Sequence, residues 1–172
     1  MSLNSFLDSI ESPALRVLVS HWAEVRGARR MPAWEDIRPS AIKLVLPILW
    51  SWKFDRATGE FIGRLAGERI QTVFGRVIRN ARMSDVFEGH DFLLALRRHT
   101  RVAMEPAFFR GRGLVFQHLG RFDIGERIIL PLATEGTLAD GIIGATAFQS
   151  ELGAPPEKLV RKGEIEHWYT VD

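Results

Sequence analysis

Few residues of this chain could do chemistry, and cysteine is not among them. Without a thiol there is no disulfide framework, no thiolate metal site and no sulfur nucleophile. His118 and Asp123 come nearest to an acid–base pair, because a carboxylate can orient an imidazole that takes up a proton. On a single strand they have opposite parity and face apart, unless Gly120 introduces a bulge between them. Arg64, flanked by Ile62 and Leu65 in a run that leads into Ala66-Gly67, could meet an anion. A structural ion pair to Asp85 or Asp123 is its alternative. The chain has no Gly-x-Ser-x-Gly, no Walker lysine loop and no His-Glu-x-x-His. Gly111-x-Gly113 lacks the third glycine and the strand-to-helix setting that dinucleotide binding needs. The expectation is a protein that is not an enzyme and holds no metal.

Arginine dominates the basic residues, since only Lys43, Lys53, Lys158 and Lys162 are lysines. Arg76, Arg79 and Arg82, then Arg97, Arg98 and Arg101, then Arg110 and Arg112 form clusters that could make a basic face. Acidic residues interleave throughout, and the net charge is only +2. The aromatic residues sit among apolar ones rather than among these arginines, so the stacking platform of a nucleic-acid binder is not apparent. Nucleic acid is therefore not an expected partner.

These side chains need elements to hold them. The 172 residues are 46% hydrophobic and 26% charged, the composition of one folded domain. No apolar run approaches the roughly 20 residues of a membrane span. The N-terminal Met-Ser-Leu-Asn-Ser-Phe-Leu-Asp lacks the basic start of a secretory signal, so a cytoplasmic location is expected. Ser12-Pro13 caps and opens a helix, Leu15, Leu18, Val19, Trp22 and Val25 recur at helical spacing, and Gly27 ends it. Asp36 is placed to cap a short helix that ends at Leu46.

The pattern then changes period. Trp50, Trp52 and Phe54 alternate with polar residues, and Phe61 to Leu65 follows after a turn, which predicts a β-hairpin. A short helix over 68–74 and a longer one over 91–104 come next, the latter with Phe92, Leu93, Leu96, Thr100 and Ala103 or Met104 as its apolar stripe. Strands are predicted at 107–109, at 114–122 with a bulge at Gly120, at 127–133 and at 138–149. The division is an N-terminal helical extension over 1–28, a core over 29–150, and a tail over 151–172 in which Leu159, Trp168 and Tyr169 could dock.

The element order and several short words resemble a known family. His21-Trp22 with Arg26-Gly27, Arg30-Met31-Pro32-Ala33, Asp36-Ile37-x-Pro39 and Leu46-Pro47 come first. Phe61-Ile62-Gly63-Arg64-Leu65-Ala66-Gly67, Phe74-Gly75 and Ile129-Leu130-Pro131-Leu132-Ala133 follow in order. Together they resemble the small bacterial PAS proteins of the fifth PAS subgroup, over about residues 21 to 146. Trp34, Gly63 and Glu68 depart from its pattern. The resemblance implies an α+β fold: a five-stranded antiparallel sheet with helices on one face. The added N-terminal helix would cover the other face or a dimer mate through Leu15, Leu18, Val19 and Trp22.

The resemblance also implies a sensory or signalling role, relayed through a protein partner or a homodimer. A PAS pocket would be lined by Trp50 or Trp52, Phe61, Phe74, Phe92, Leu96, Phe116 and Leu130, with Arg64 and His118 as polar anchors. A small apolar or amphiphilic molecule could fill it, or these side chains could fill it themselves. Some PAS sensors hold haem through a histidine on the long helix. Here His99 has arginines for company at 97, 98 and 101 and reads as part of a solvated face, so no cofactor is expected. The flavin photoadduct of that class needs a cysteine and is excluded.

Overall fold

The computed structural model describes residues 2–172. Two helices come first, α1 (Leu3–Ser9) and α2 (Pro13–Arg26). The Ser12 hydroxyl accepts the Leu15 amide at the start of α2, Pro13 takes the first helical position, and Gly27 ends the helix at φ 56°. Leu15, Leu18, Val19 and Trp22 are all fully buried within the single chain. Each such burial contributes roughly 1.5–3 kcal/mol. The Trp22 indole N–H donates to the Pro131 carbonyl at 2.8 Å, which pins the helix to the sheet. The stripe therefore meets this chain's own sheet and is not left exposed for a mate. The connector after α2 makes three short 3-10 turns, at Trp34–Asp36, Pro39–Ala41 and Leu46–Ile48, where one short helix was expected. His21 ties it down by accepting the Arg38 amide at Nε2, 3.0 Å away.

The hairpin β1 (Leu49–Asp55) and β2 (Glu60–Ala66) follows as its alternation predicts. Next come α3 (Glu68–Phe74), α4 (Met83–Val86) and α5 (Gly89–Met104). The chain then forms β3 (Ala107–His118), β4 (Arg121–Leu132) and β5 (Gly141–Leu152), a short α6 (Glu157–Lys162) and β6 (Glu164–Thr170).

All six strands join one antiparallel sheet in the order β2-β1-β5-β4-β3-β6. The expected sheet had five strands; the tail supplies the sixth, pairing along β3 from Ala107↔Thr170 to Gly113↔Glu164. The strand expected over 114–122 is in fact two strands joined by a tight turn. Gly120 lies at φ 76° in that turn, a backbone conformation that glycine adopts without steric cost. The bulge is on β3, between Leu114 and Phe116. β3 also runs unbroken through Gly111 and Gly113, where the sequence suggested a gap.

The sheet divides the core in two. Its inner face carries Trp50, Trp52, Thr146, Arg127 and Phe109 beneath α5, while its outer face carries Leu130, Ala145 and Phe108 beneath α1 and α2. Phe108 stacks on Phe6 and meets Trp22 edge-on, which closes the outer layer. Glu126, also on the outer face, accepts the backbone amides of Glu11 and Ser12 and the guanidinium of Arg110. A buried carboxylate thus caps the start of α2 and has its own charge compensated.

Candidate functional site

The inner face beneath α5 gathers an aromatic box around one imidazole. His99 is 2% exposed. Its ring stacks on Trp50 with centroids 5.2 Å apart and meets Trp52 and Phe61 edge-on. Nδ1 lies 2.6 Å from the Ala95 carbonyl, which makes it the protonated nitrogen of the neutral ring. Burial pushes the imidazole down to about 3, and the charges of Arg127 and Arg98 add to that against the Ala95 hydrogen bond. His99 is therefore an uncharged part of the core.

Trp50, Trp52, Phe74, Phe87, Phe116, Ile70, Ile78, Thr146, Arg127 and His99 enclose a cavity of about 20 Å³. That is room for about one water, far below the roughly 300 Å³ at which small-molecule pockets begin. The Trp50 indole donates to Thr146 Oγ1 at 3.1 Å and spreads over Gly144, where a Cβ would fall 2.4 Å from the ring.

The walls are held by buried charge. Arg127 donates from Nη2 to the Val115 carbonyl, lies over Phe116, and has its Nε 3.2 Å from a Glu164 carboxylate oxygen. Burial pulls the Arg127 guanidinium below its ordinary value, while Glu164 works against that. Arg98 of α5 lies over Phe109 and bonds Glu164 at 2.7 Å and Glu166 at 2.8 Å. For Glu166 burial acts to raise the pKa, but hydrogen bonds from Arg97 and Arg98 outweigh it and hold the carboxyl low. The two acids of β6 thus neutralise two arginines that the core has taken in.

Of the residues singled out for a pocket, Trp50, Trp52, Phe74 and Phe116 line the cavity, and Phe61 stands behind His99. Phe92 and Leu96 pack half-buried against the core without lining it. Leu130 is buried on the outer face, because its register partner there is Ile143. Arg64 also turns away from the cavity. It lies 4.8 Å over the Trp34 ring beside Gly141, and its Nε and Nη1 are buried without a hydrogen bond. Neither Asp85 nor Asp123 pairs with it; burial pulls its guanidinium below the ordinary value, and the charges of Asp140 and Glu35 work against that. Trp34 and Arg64 are therefore one departure and one match to the family pattern in direct contact.

His118 sits at the β3–β4 turn, its Nε2 3.4 Å from Asp123 Oδ2 without a hydrogen bond between them, while the other oxygen, Oδ1, accepts from Ser150. The bulge on β3 and the turn at Gly120 bring this pair to one face, where a single strand would have separated it. Neither residue borders the aromatic cavity.

Arg127, Thr146 and Phe87 are not singled out from the sequence, and His99 is placed by it on a solvated face. For His99 the helical spacing of Ala95, His99 and Val102 was the available signal. The solvated-face reading of it is wrong, because α5 is turned so that Arg98 and His99 go inward while Leu93 and Met104 stay exposed.

A family model described as the PAS domain matches residues 10–147. The chain belongs to the PAS family. No curated protein and no solved structure matches it. PAS domains are in general sensory and signalling modules rather than enzymes, and the six-stranded α+β fold accords with that membership. The PAS match ends before α6 and β6, so the strand that neutralises Arg98 and Arg127 lies beyond it. Among the described residues no helix is long and apolar enough to cross a membrane.

Proposed function

We propose that this PAS protein is a signalling module that acts through protein contacts, with itself or with another chain, while its own side chains fill its core. The observation that carries this reading is the cavity volume. About 20 Å³ behind His99 leaves no place for an apolar or amphiphilic signal molecule, so the filled-core alternative is better supported than a ligand sensor.

The charged residues support protein contacts over nucleic acid. Arg98, Arg110 and Arg112 are each paired with a carboxylate of this chain, which leaves less of the basic face that phosphate binding would use. The His118–Asp123 pair is compatible with proton transfer, but it does not border the cavity, and the Ser150 hydroxyl beside it already donates to Asp123. Native mass spectrometry of protein purified from cells tests the reading. The bare chain mass, or an integer multiple of it, is expected. A stoichiometric small molecule retained in the core would overturn it.

A further inference from the structure

The three middle strands of the sheet reach further than their neighbours. β1 pairs with β5 only from Gly141 to Ala145, and β6 pairs with β3 only from Ala107 to Gly113. Residues 114–118 of β3, 121–124 of β4 and 146–152 of β5 therefore project past both as a three-stranded tongue. Its inner face is anchored, since Phe116 meets Phe74 and Phe148 edge-on and Arg69 lies over Phe148. Its tip is bare. Leu119 is wholly exposed and Leu152 is 90% exposed. The Gly153 amide donates to the Gly120 carbonyl at 2.8 Å, so the two leucines leave adjoining backbone at the same end.

The turn does not require a leucine. Two-residue hairpin turns favour Asn, Asp or Gly, and Gly120 at φ 76° already supplies the left-handed position. An apolar side chain held there gains only if something outside the fold receives it.

The charges beside the tip show what would receive it. Arg121 stands across from Leu152 in register. Residues 153–156 lead from Leu152 into α6, and Gly163 just after α6 accepts the Leu114 amide, so α6 flanks the tongue along β3. Lys158 and Lys162 of α6 have no ion pair among the described residues, while Arg161 is paired with Glu157. Glu151 is the tongue's exposed acid, since Asp123 is fully buried. At the opposite end of the sheet the exposed Leu138 has acids in its own connection instead, Glu135 and Asp140.

We propose that the tongue docks on an anionic lipid bilayer. Leu119 and Leu152 enter the headgroup boundary while Arg121, Lys158 and Lys162 meet the lipid phosphates. The tip is convex, so a fluid interface takes both leucines without a matched pocket. Lysines on flexible stems suit loosely ordered headgroups better than they suit one fixed protein acceptor. Leu152 and α6 lie beyond the residues that the PAS model matches, so the tip is completed by this chain's own addition. The proposal concerns where the module acts, and it holds whether or not the core takes a ligand.

Co-sedimentation of the full chain with vesicles tests it. Vesicles of equal parts phosphatidylglycerol and phosphatidylcholine should bind the protein, and raised salt should weaken that binding. Vesicles of phosphatidylcholine alone should bind it at least about tenfold less tightly. Leu119→Asn should lower the affinity about tenfold with an unchanged thermal melt, because Asn before Gly120 suits the turn. Lys158→Glu combined with Lys162→Glu should lower it by more than about tenfold, and Leu138→Asn should leave it as it was. Equal binding to both vesicle types, or a Leu119→Asn variant that binds as the parent does, would overturn the proposal. Absence of binding to the anionic vesicles would overturn it too and leave the tip to a soluble protein partner. If the double lysine variant does not fold, Leu119→Asn decides alone. A molecule retained in the core would sink the filled-core reading and leave the vesicle result untouched.

Discussion

His99 and Trp50 lie with their rings 24° from parallel and 5.2 Å apart, so a residue able to carry charge serves as one more aromatic wall. The helix places it there and the sheet supplies the stacking surface. Its neutrality is a condition of the packing, and that makes the core sensitive to acid.

Folding excludes the proton from His99, whose folded value of about 3 lies well below the ordinary 6.5. The stability this confers is complete above about pH 6.5 and drains away as the pH falls toward 3. Between pH 6.5 and 4 the loss from this one group should be roughly 3 kcal/mol. Urea denaturation at several pH values should show the slope, and His99→Phe should flatten it. An equal slope in the variant would assign the acid sensitivity to other groups.

Glu164 compensates Arg98 and Arg127 together, and its side chain is 4% exposed. Glu164→Gln should cost about 3–5 kcal/mol, because it leaves buried positive charge short of a partner. Glu166→Gln should cost less, since its side chain is 20% exposed and water can take up part of the difference. Urea midpoints for the two variants in the reverse order would contradict this account of the network.

Trp22 is fully buried and holds α2 to β4 through one hydrogen bond. Trp22→Phe keeps most of the apolar contact but strands the Pro131 carbonyl, at about 1–3 kcal/mol. The measurement is the shift in thermal midpoint, which should be several degrees downward. A neutral result would mean that water reaches the carbonyl.

Gly144→Ala inserts a methyl where the Trp50 ring and the Ile128 carbonyl already are. Overpacking of this kind costs typically 1–3 kcal/mol, and the indole is the part able to move. Near-ultraviolet circular dichroism should lose intensity as Trp50 leaves its stack with His99. An unaltered spectrum would show that the backbone gives way instead.

Much of the fold is legible where local chemistry is enough. Ser12-Pro13 and Gly27 bound α2, and alternation at Trp50, Trp52 and Phe54 marks β1, because caps and pleat act over a few residues. The phase of α5 is not legible in this way. Its buried Arg98 is acceptable only because Glu164 and Glu166 arrive from the far end of the chain, a pairing that no helical window contains. β6 escapes for the same reason, since its inward acids look like a solvated strand until Arg98 and Arg127 are found opposite. The side taken by Leu130 and Arg64 depends on register and on the irregularity between Ser51 and Trp52, which shifts β2 against β1. For His118 and Asp123 the missing information was the turn that divides one apparent strand into two.

The pairing of β6 with β3 has a kinetic side. β3 gains one neighbour as soon as β4 is made, but its other edge stays open until β5, α6 and β6 have followed. In that interval two arginines bound for the interior have no counter-charge, and a strand edge is open to any passing chain. The pairing of β6 therefore covers that edge and brings the counter-charges of Arg98 and Arg127 together. A chain halted before Glu164 would carry an open edge and an unbalanced core.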